Sequence, residues 1–216
     1  MNRQRAQSGR EHRGRRGKPS PVGLRIIGGR FRGRKLAYSG DRRVRPMKDR
    51  IREAVFNLIG PDVVGKHAID LFAGTGALAL EALSRGAARA TLIEQHRPTV
   101  RLAMANVRAL GVESLCRLVE GDVFVWHRRG PPLGPTPWLV FCSPPYDFYT
   151  HRLDDMLQLL GGLIASAPAE SVFVVEADRR FDWSCLPQPD RWDVRPYRRA
   201  WIGIYRKGHE HATNNS

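Results

Sequence analysis

Short apolar runs alternate with stretches in which apolar side chains recur every three or four residues over much of this chain. His67–Phe72, Ala90–Glu94, Leu115–Glu120, Trp138–Cys142 and Ser171–Glu176 have the composition of buried strands. Between them, Ala77–Arg85, Pro98–Leu110 and Leu153–Leu163 have helical periodicity. Pro98 falls in a first helical turn, and Gly86 and Gly111 lie just past helix ends, the usual asymmetry of helix termini. Such alternation predicts a parallel sheet with helices on both faces. Segments near Trp192–Arg195 and Ala200–Arg206 predict a closing hairpin. The expected fold is therefore α/β, a doubly wound, mostly parallel seven-stranded sheet. Pro131–Pro137 is expected as a loop.

Ahead of the alternating region the pattern differs. Leu24–Ile27, Gly28-Gly29 and Arg30–Leu36 predict a short β-hairpin with a basic face. Met47, Ile51, Ala54, Val55, Leu58 and Ile59 share one side of a helix that Gly60-Pro61 stops. Residues 1–21 carry hardly an apolar side chain and cannot offset their chain entropy. The expected division is a disordered basic tail (1–23), a hairpin-and-helix segment (24–60), a catalytic domain (61–208) and a short disordered tail (209–216).

Charge sharpens that division. The chain has 216 residues and a net charge of +15. Residues 1–50 hold 17 of the 36 Lys and Arg against three acids, Glu11, Asp41 and Asp49. Nearly all of the excess lies at the front, which points to a polyanionic partner such as nucleic acid. Arg30, Arg32, Arg34, Lys35, Arg45, Lys48 and Arg50 form the cluster expected to meet phosphates, fixing position more than sequence. Cys116, Cys142 and Cys185 suit neither a disulfide framework nor a zinc site, so a reducing cytoplasm and no metal are expected. No run approaches the ~18 apolar residues of a membrane helix, and a monomer is expected.

Two motifs carry the chemistry. Asp70-Leu71-Phe72-Ala73-Gly74-Thr75-Gly76 closes a strand and opens a helix, and its glycines let a cofactor approach the main chain. The string Gly74-x-Gly76-x-x-Ala79 also satisfies a relaxed dinucleotide fingerprint, so a nicotinamide cofactor is a rival to S-adenosylmethionine. Some 70 residues precede the turn, and Asp70 suits a cationic or hydroxylated ligand better than a pyrophosphate. Glu94, at the next strand end, suits ribose hydroxyls in either case. Asp122 could accept from an adenine amino group or cap a helix.

The second motif, Ser143-Pro144-Pro145-Tyr146, has no role in hydride transfer. An exocyclic amine on a base is a weak nucleophile because its lone pair delocalises into the ring. Acceptors for its N–H groups favour a tetrahedral nitrogen and stabilise the charge that grows there. The Ser143 hydroxyl and the Pro144 carbonyl would be those acceptors, held by consecutive prolines. Tyr146 would stack on the base, worth ~1–3 kcal/mol. A strand-ending Pro-Pro turn with a packed tyrosine is the plain structural alternative.

Four blocks resemble the RsmD-type family of bacterial 16S rRNA guanine-N2 methyltransferases. They are Leu24–Leu36, Arg45–Asn57, Asp70–Leu78 and Glu81–Ala87, and they stand in that family's order. The resemblance covers about residues 24–206 and implies a Rossmann-like class I methyltransferase. Asp70, Phe72, Gly74, Gly76, Glu94 and Asp122 would then face S-adenosylmethionine, and Ser143, Pro144, Pro145 and Tyr146 the target base. The partner implied is 16S rRNA or an assembling small ribosomal subunit. The family usually opens its platform with Asp, where this chain has Ser143. An N6-adenine methyltransferase, or an assembly factor that has lost catalysis, are the other functions consistent with these residues.

Overall fold

A computed structural model describes residues 23–40, 46–198 and 200–208. Arg45, most of the basic tail and the C-terminal tail fall outside the described residues. Seven strands form one sheet: β1 (His67–Asp70), β2 (Arg89–Glu94), β3 (Cys116–Glu120), β4 (Trp138–Cys142), β5 (Val172–Ala177), β6 (Trp192–Tyr197) and β7 (Ala200–Arg206). Their order is β3-β2-β1-β4-β5-β7-β6. The first five pair in parallel, and β7 inserts antiparallel between β5 and β6. The doubly wound sheet and its closing hairpin are as expected.

Alternation along the strands makes two cores. Ala68, Leu139, Phe141, Val172 and Val174 face one side, where α1 (Asp49–Ile59), α2 (Ala77–Ser84) and α3 (Arg97–Leu110) supply Phe56, Leu80 and Val107. Ile69, Val140, Cys142, Phe173 and Val175 face the other. There α4 (Val123–Arg128), α5 (Phe148–His151) and α6 (Leu153–Ser166) contribute side chains such as Phe124, Phe148 and Leu160. Strands this apolar on both faces are the mark of a covered parallel sheet.

The helices α4 and α5 were not expected. Six and four residues long, they are too short to show a helical period. The front hairpin is slighter than expected. Arg25 and Lys35 form an isolated antiparallel bridge, flanked by Ile26 N–H to Arg34 O and Leu36 N–H to Leu24 O, around a 3-10 turn at Gly29–Phe31. Leu24, Ile26 and Leu36 nonetheless join the same core as the sheet. No helix among the described residues is long and apolar enough to cross a membrane.

Candidate active site

The acids and the platform singled out in the sequence gather along one edge of the sheet. Asp70 ends β1, Glu94 ends β2, Asp122 lies just beyond β3, and Ser143 directly follows β4. These are the carboxyl ends of parallel strands. β1 and β4, which carry the two motifs, are the neighbours at which the strand order reverses. Open α/β sheets bind ligands at that crevice.

The glycine turn is fastened to both neighbouring strands. Leu71 N–H donates to Phe141 O at 3.0 Å, and Ala73 N–H to Ile93 O at 2.9 Å. Gly76 caps α2 at φ +83°, and a Cβ there would come within 2.8 Å of Leu92 Cδ2. Conformation and space both call for glycine. Glu94 grips the turn from β2, its Oε2 accepting the Gly74 N–H at 2.9 Å and its Oε1 the His96 N–H at 2.8 Å. Half-buried Phe72 meets Phe124 at 6.2 Å and Phe148 at 5.8 Å, both edge-on. Those rings tie the turn to the segments that follow β3 and the platform.

Asp70 is 1% exposed, and neither carboxyl oxygen has a hydrogen-bond partner among the described residues. Burial pushes its pKa from 3.8 up to about 7. The Ala79 and Phe72 N–H groups lie near enough to pull it down without completing a bond, while Glu94 pushes it up. An unpartnered buried carboxyl is costly. Its place beside the glycine turn fits a ligand that brings a cation and N–H donors, as the amino-acid end of S-adenosylmethionine does.

Asp122 is a helix cap here. Its Oδ1 accepts the Phe124 and Val125 N–H groups at 2.7 and 3.2 Å. Its Oδ2 pairs with Arg152 at 3.2 Å, and that guanidinium lies 4.0 Å over the Phe124 ring. Partial burial raises the Asp122 pKa, but the two amides and Arg152 outweigh it and hold the carboxyl below its usual range.

At the platform, the Ser143 hydroxyl donates to Glu176 Oε2. The Tyr146 hydroxyl donates to Glu176 Oε1 at 3.0 Å, and Tyr149 OH to the Glu176 backbone carbonyl at 2.8 Å. Pro144 is buried, whereas the Tyr146 ring is 37% exposed. Beyond Pro145 the chain turns straight into α5, Phe148 N–H donating to Pro145 O at 3.0 Å. Glu176, 8% exposed near the end of β5, was given no role from the sequence. Its signal is an acid closing the wholly apolar run Val172–Val175.

The hairpin part of the basic cluster is not brought to this edge, whereas Lys48 opens α1, whose Arg52 meets Glu81 and whose Phe56 meets Arg85, so that its start lies toward the glycine-turn end of α2. Arg30, Arg32, Arg34, Lys35, Lys48 and Arg50 are all exposed. The hairpin tip, however, docks on the carboxyl end of α2, with Phe31 N–H donating to Ser84 Oγ at 2.9 Å. Arg34 reaches the Ala109 carbonyl at the end of α3. The glycine turn is at the other end of α2, roughly 12 Å away for eight residues of helix. Among the described residues no three His, Cys, Asp or Glu side chains gather as metal ligands.

Fold and edge together define a class I methyltransferase. The family model described as Conserved hypothetical protein 95 matches residues 24–200, and the chain belongs to that family. Ribosomal RNA small subunit methyltransferase D of Escherichia coli is 38% identical over 158 residues, 72% of this chain and 75% of that protein. Its namesake in Haemophilus influenzae is 34% identical over 184 residues, 85% of this chain and 92% of that protein. The solved structure of yhhF from Escherichia coli matches with a TM-score of 0.70 at 31% identity, covering 86% of this chain and 98% of that one. The chain is thus a methyltransferase of the RsmD type.

Proposed function

We propose that this chain methylates the exocyclic N2 amine of a guanine in 16S rRNA, free or in an assembling small subunit. The observation that carries the chemistry is the Ser143–Glu176–Tyr146 cluster at the end of β4. The names of the relatives support rRNA as the substrate.

Bound S-adenosylmethionine supplies an electrophilic methyl group on a sulfonium, already a good leaving group. Asp70, Phe72, Gly74, Gly76 and Glu94 would hold it, with its adenine beside Asp122, whose Oδ2 shares its lone pairs with Arg152. On the other side, Ser143 commits its own proton to Glu176, which leaves the oxygen lone pairs to accept an amine N–H. The Pro144 carbonyl is the second acceptor, and Pro144-Pro145 keep both in place. Tyr146, its hydroxyl tethered to Glu176, presents its ring to the base. The surplus proton on the amine has a path out. It passes to Ser143 Oγ as the Ser143 proton moves to Glu176. No metal takes part in this scheme, and orientation does much of the work.

Mass mapping of methylated nucleosides in rRNA, from cells with and without the protein, tests the substrate. Loss of one N2-methylguanosine from 16S rRNA is expected. Loss of an N6-methyladenosine, or of nothing, would overturn the assignment.

Asp70 makes cofactor binding pH-dependent. Its neutral form cannot pair with an ammonium, so S-adenosylhomocysteine affinity should rise as pH passes through about 7 and level off only above that range. Stability of the free protein should move the other way. The folded state binds more protons than the unfolded between 3.8 and about 7, so this contribution falls as pH rises through that window. Asp70→Asn should abolish both slopes, stabilising the free protein at pH 8 while weakening the ligand. Calorimetry and thermal unfolding across pH are the measurements. A pH-independent affinity in the native protein would remove Asp70 from the cofactor site.

A further inference from the structure

Beyond β5 the chain reads Asp178-Arg179-Arg180. The register Ala177↔Trp201 and Tyr197↔Ala200 brings the β6–β7 turn to the same edge of the sheet. Arg198, in that turn, stands at φ +44°, a left-handed conformation that side chains other than Gly and Asn adopt at a cost. Together with Tyr146 these residues line an open cleft of about 450 Å³. Arg180 is tied to Asp178, its Nε at 3.0 Å and Nη2 at 2.5 Å from Oδ2. Arg179 and Arg198 are exposed, and neither forms an ion pair among the described residues. Two guanidiniums without a direct ion pair, Arg179 within the field of Asp178, therefore border the ring assigned to the target base.

We propose that this cleft is a phosphate subsite for the target RNA strand, with Arg179 and Arg198 clamping the backbone of a nucleotide that flanks the methylated one. The inference rests on reading Tyr146 as the base platform. An aromatic face beside guanidiniums is how proteins hold single strands. The planar fork of arginine suits phosphate oxygens two at a time. Asp178 fixes Arg180 and shapes the rim, while the other two cations remain for the ligand. The hairpin arginines, at the far end of α2, cannot do this job for a base at Ser143. They bind the RNA elsewhere, and the cleft positions the reacting nucleotide.

The test compares Arg179→Ala/Arg198→Ala with a control, Arg101→Ala/Arg117→Ala, which removes two exposed arginines toward the opposite, β3 edge. Fluorescence anisotropy measures binding of a short unmodified single-stranded RNA over a range of salt. The cleft variant should show a log–log slope shallower by about 1.4, the value for two phosphates on a single strand. The control should keep the native slope. Methyl transfer to unmodified 16S rRNA should show a raised KM for RNA with kcat retained, and S-adenosylhomocysteine affinity should be unchanged. A native slope and KM in a cleft variant that still binds S-adenosylhomocysteine would overturn the subsite, as would an equal loss in the control. Competition by inorganic phosphate with no change in RNA slope would mean a free-anion site, and would overturn it too. Failure of the native protein to methylate any RNA, with the slope change intact, would count against the platform assignment and leave the cleft as an RNA site.

Discussion

Glu81→Ala is expected to cost about 3–5 kcal/mol of folding stability, the loss typical of a buried ion pair stripped of one partner. Glu81 and Arg52 are both fully buried, with Arg52 Nε 3.7 Å from Glu81 Oε2. The Glu81 carboxylate also accepts the Ile27 and Gly28 N–H groups at 2.7 and 2.8 Å and the Arg85 Nε at 2.8 Å. Removing it strands two backbone donors and a buried guanidinium at once. Burial already draws the Arg52 pKa down, and Asp49 and Glu81 are the charges that oppose this. Urea unfolding at neutral pH measures the effect. Arg52→Met/Glu81→Leu should recover only the part due to the buried guanidinium, because the Ile27 and Gly28 N–H groups still lack their acceptor. A cost for Glu81→Ala below ~1 kcal/mol would mean the pair behaves like a surface bridge.

The same latch holds the basic hairpin, proposed to meet RNA, on α2, whose other end opens at Gly76. Weakening it should therefore reduce RNA affinity at temperatures where S-adenosylhomocysteine still binds. Glu81 stands in one of the blocks that resemble the family, yet its spacing says only that it is an acid in a helix. Its partners are 29 or more residues away in sequence, apart from Arg85. Burial of a charge is a tertiary fact.

That limit explains which parts of the molecule were legible. The strands β4 and β5 were readable because burial on both faces leaves an unbroken apolar run, and β1 and β2 by shorter apolar stretches that a helical pattern follows. Gly76 was readable because only glycine meets both the φ and the space at its position. α4 and α5 were not, since four to six residues carry no period. The roles of Asp122 split: one oxygen caps α4, an outcome that local sequence anticipates, while the pairing of the other with Arg152 spans 30 residues. Glu176 lay in plain view at the end of a predicted strand. Nothing local to it says that β5 sits beside β4 and so delivers its carboxyl to the platform. Likewise Arg179 and Arg198 meet only because β7 inserts between β5 and β6.

The Ser143–Glu176 contact also changes what substitutions at the platform should do. Ser143→Ala removes one preorganised acceptor and should lower single-turnover methyl transfer by ~10²–10³-fold, with S-adenosylhomocysteine binding intact. Glu176→Gln keeps the hydroxyl but replaces a pure acceptor with a group that can donate to Oγ and occupy its lone pair. A smaller loss is expected, because the Ser143 acceptor is kept while the route for the surplus proton closes. Ser143→Asp would install the acid more usual in the family, but here it would place a second carboxyl in hydrogen-bonding range of Glu176. Two such groups cannot both ionise freely, and one is driven to hold a proton. That variant should acquire an activity profile that rises as the shared proton is lost and the Asp carboxylate is freed to accept the amine N–H, and adding Glu176→Gln should flatten it. Labelled S-adenosylmethionine and unmodified 16S rRNA, mixed under single-turnover conditions across pH, give the rates of all five variants. Full activity in Ser143→Ala would show that the amine is gripped by other atoms. Additive losses in Ser143→Ala/Glu176→Gln would show that the two residues act separately, since groups joined through one proton should lose little more together than Ser143→Ala loses alone.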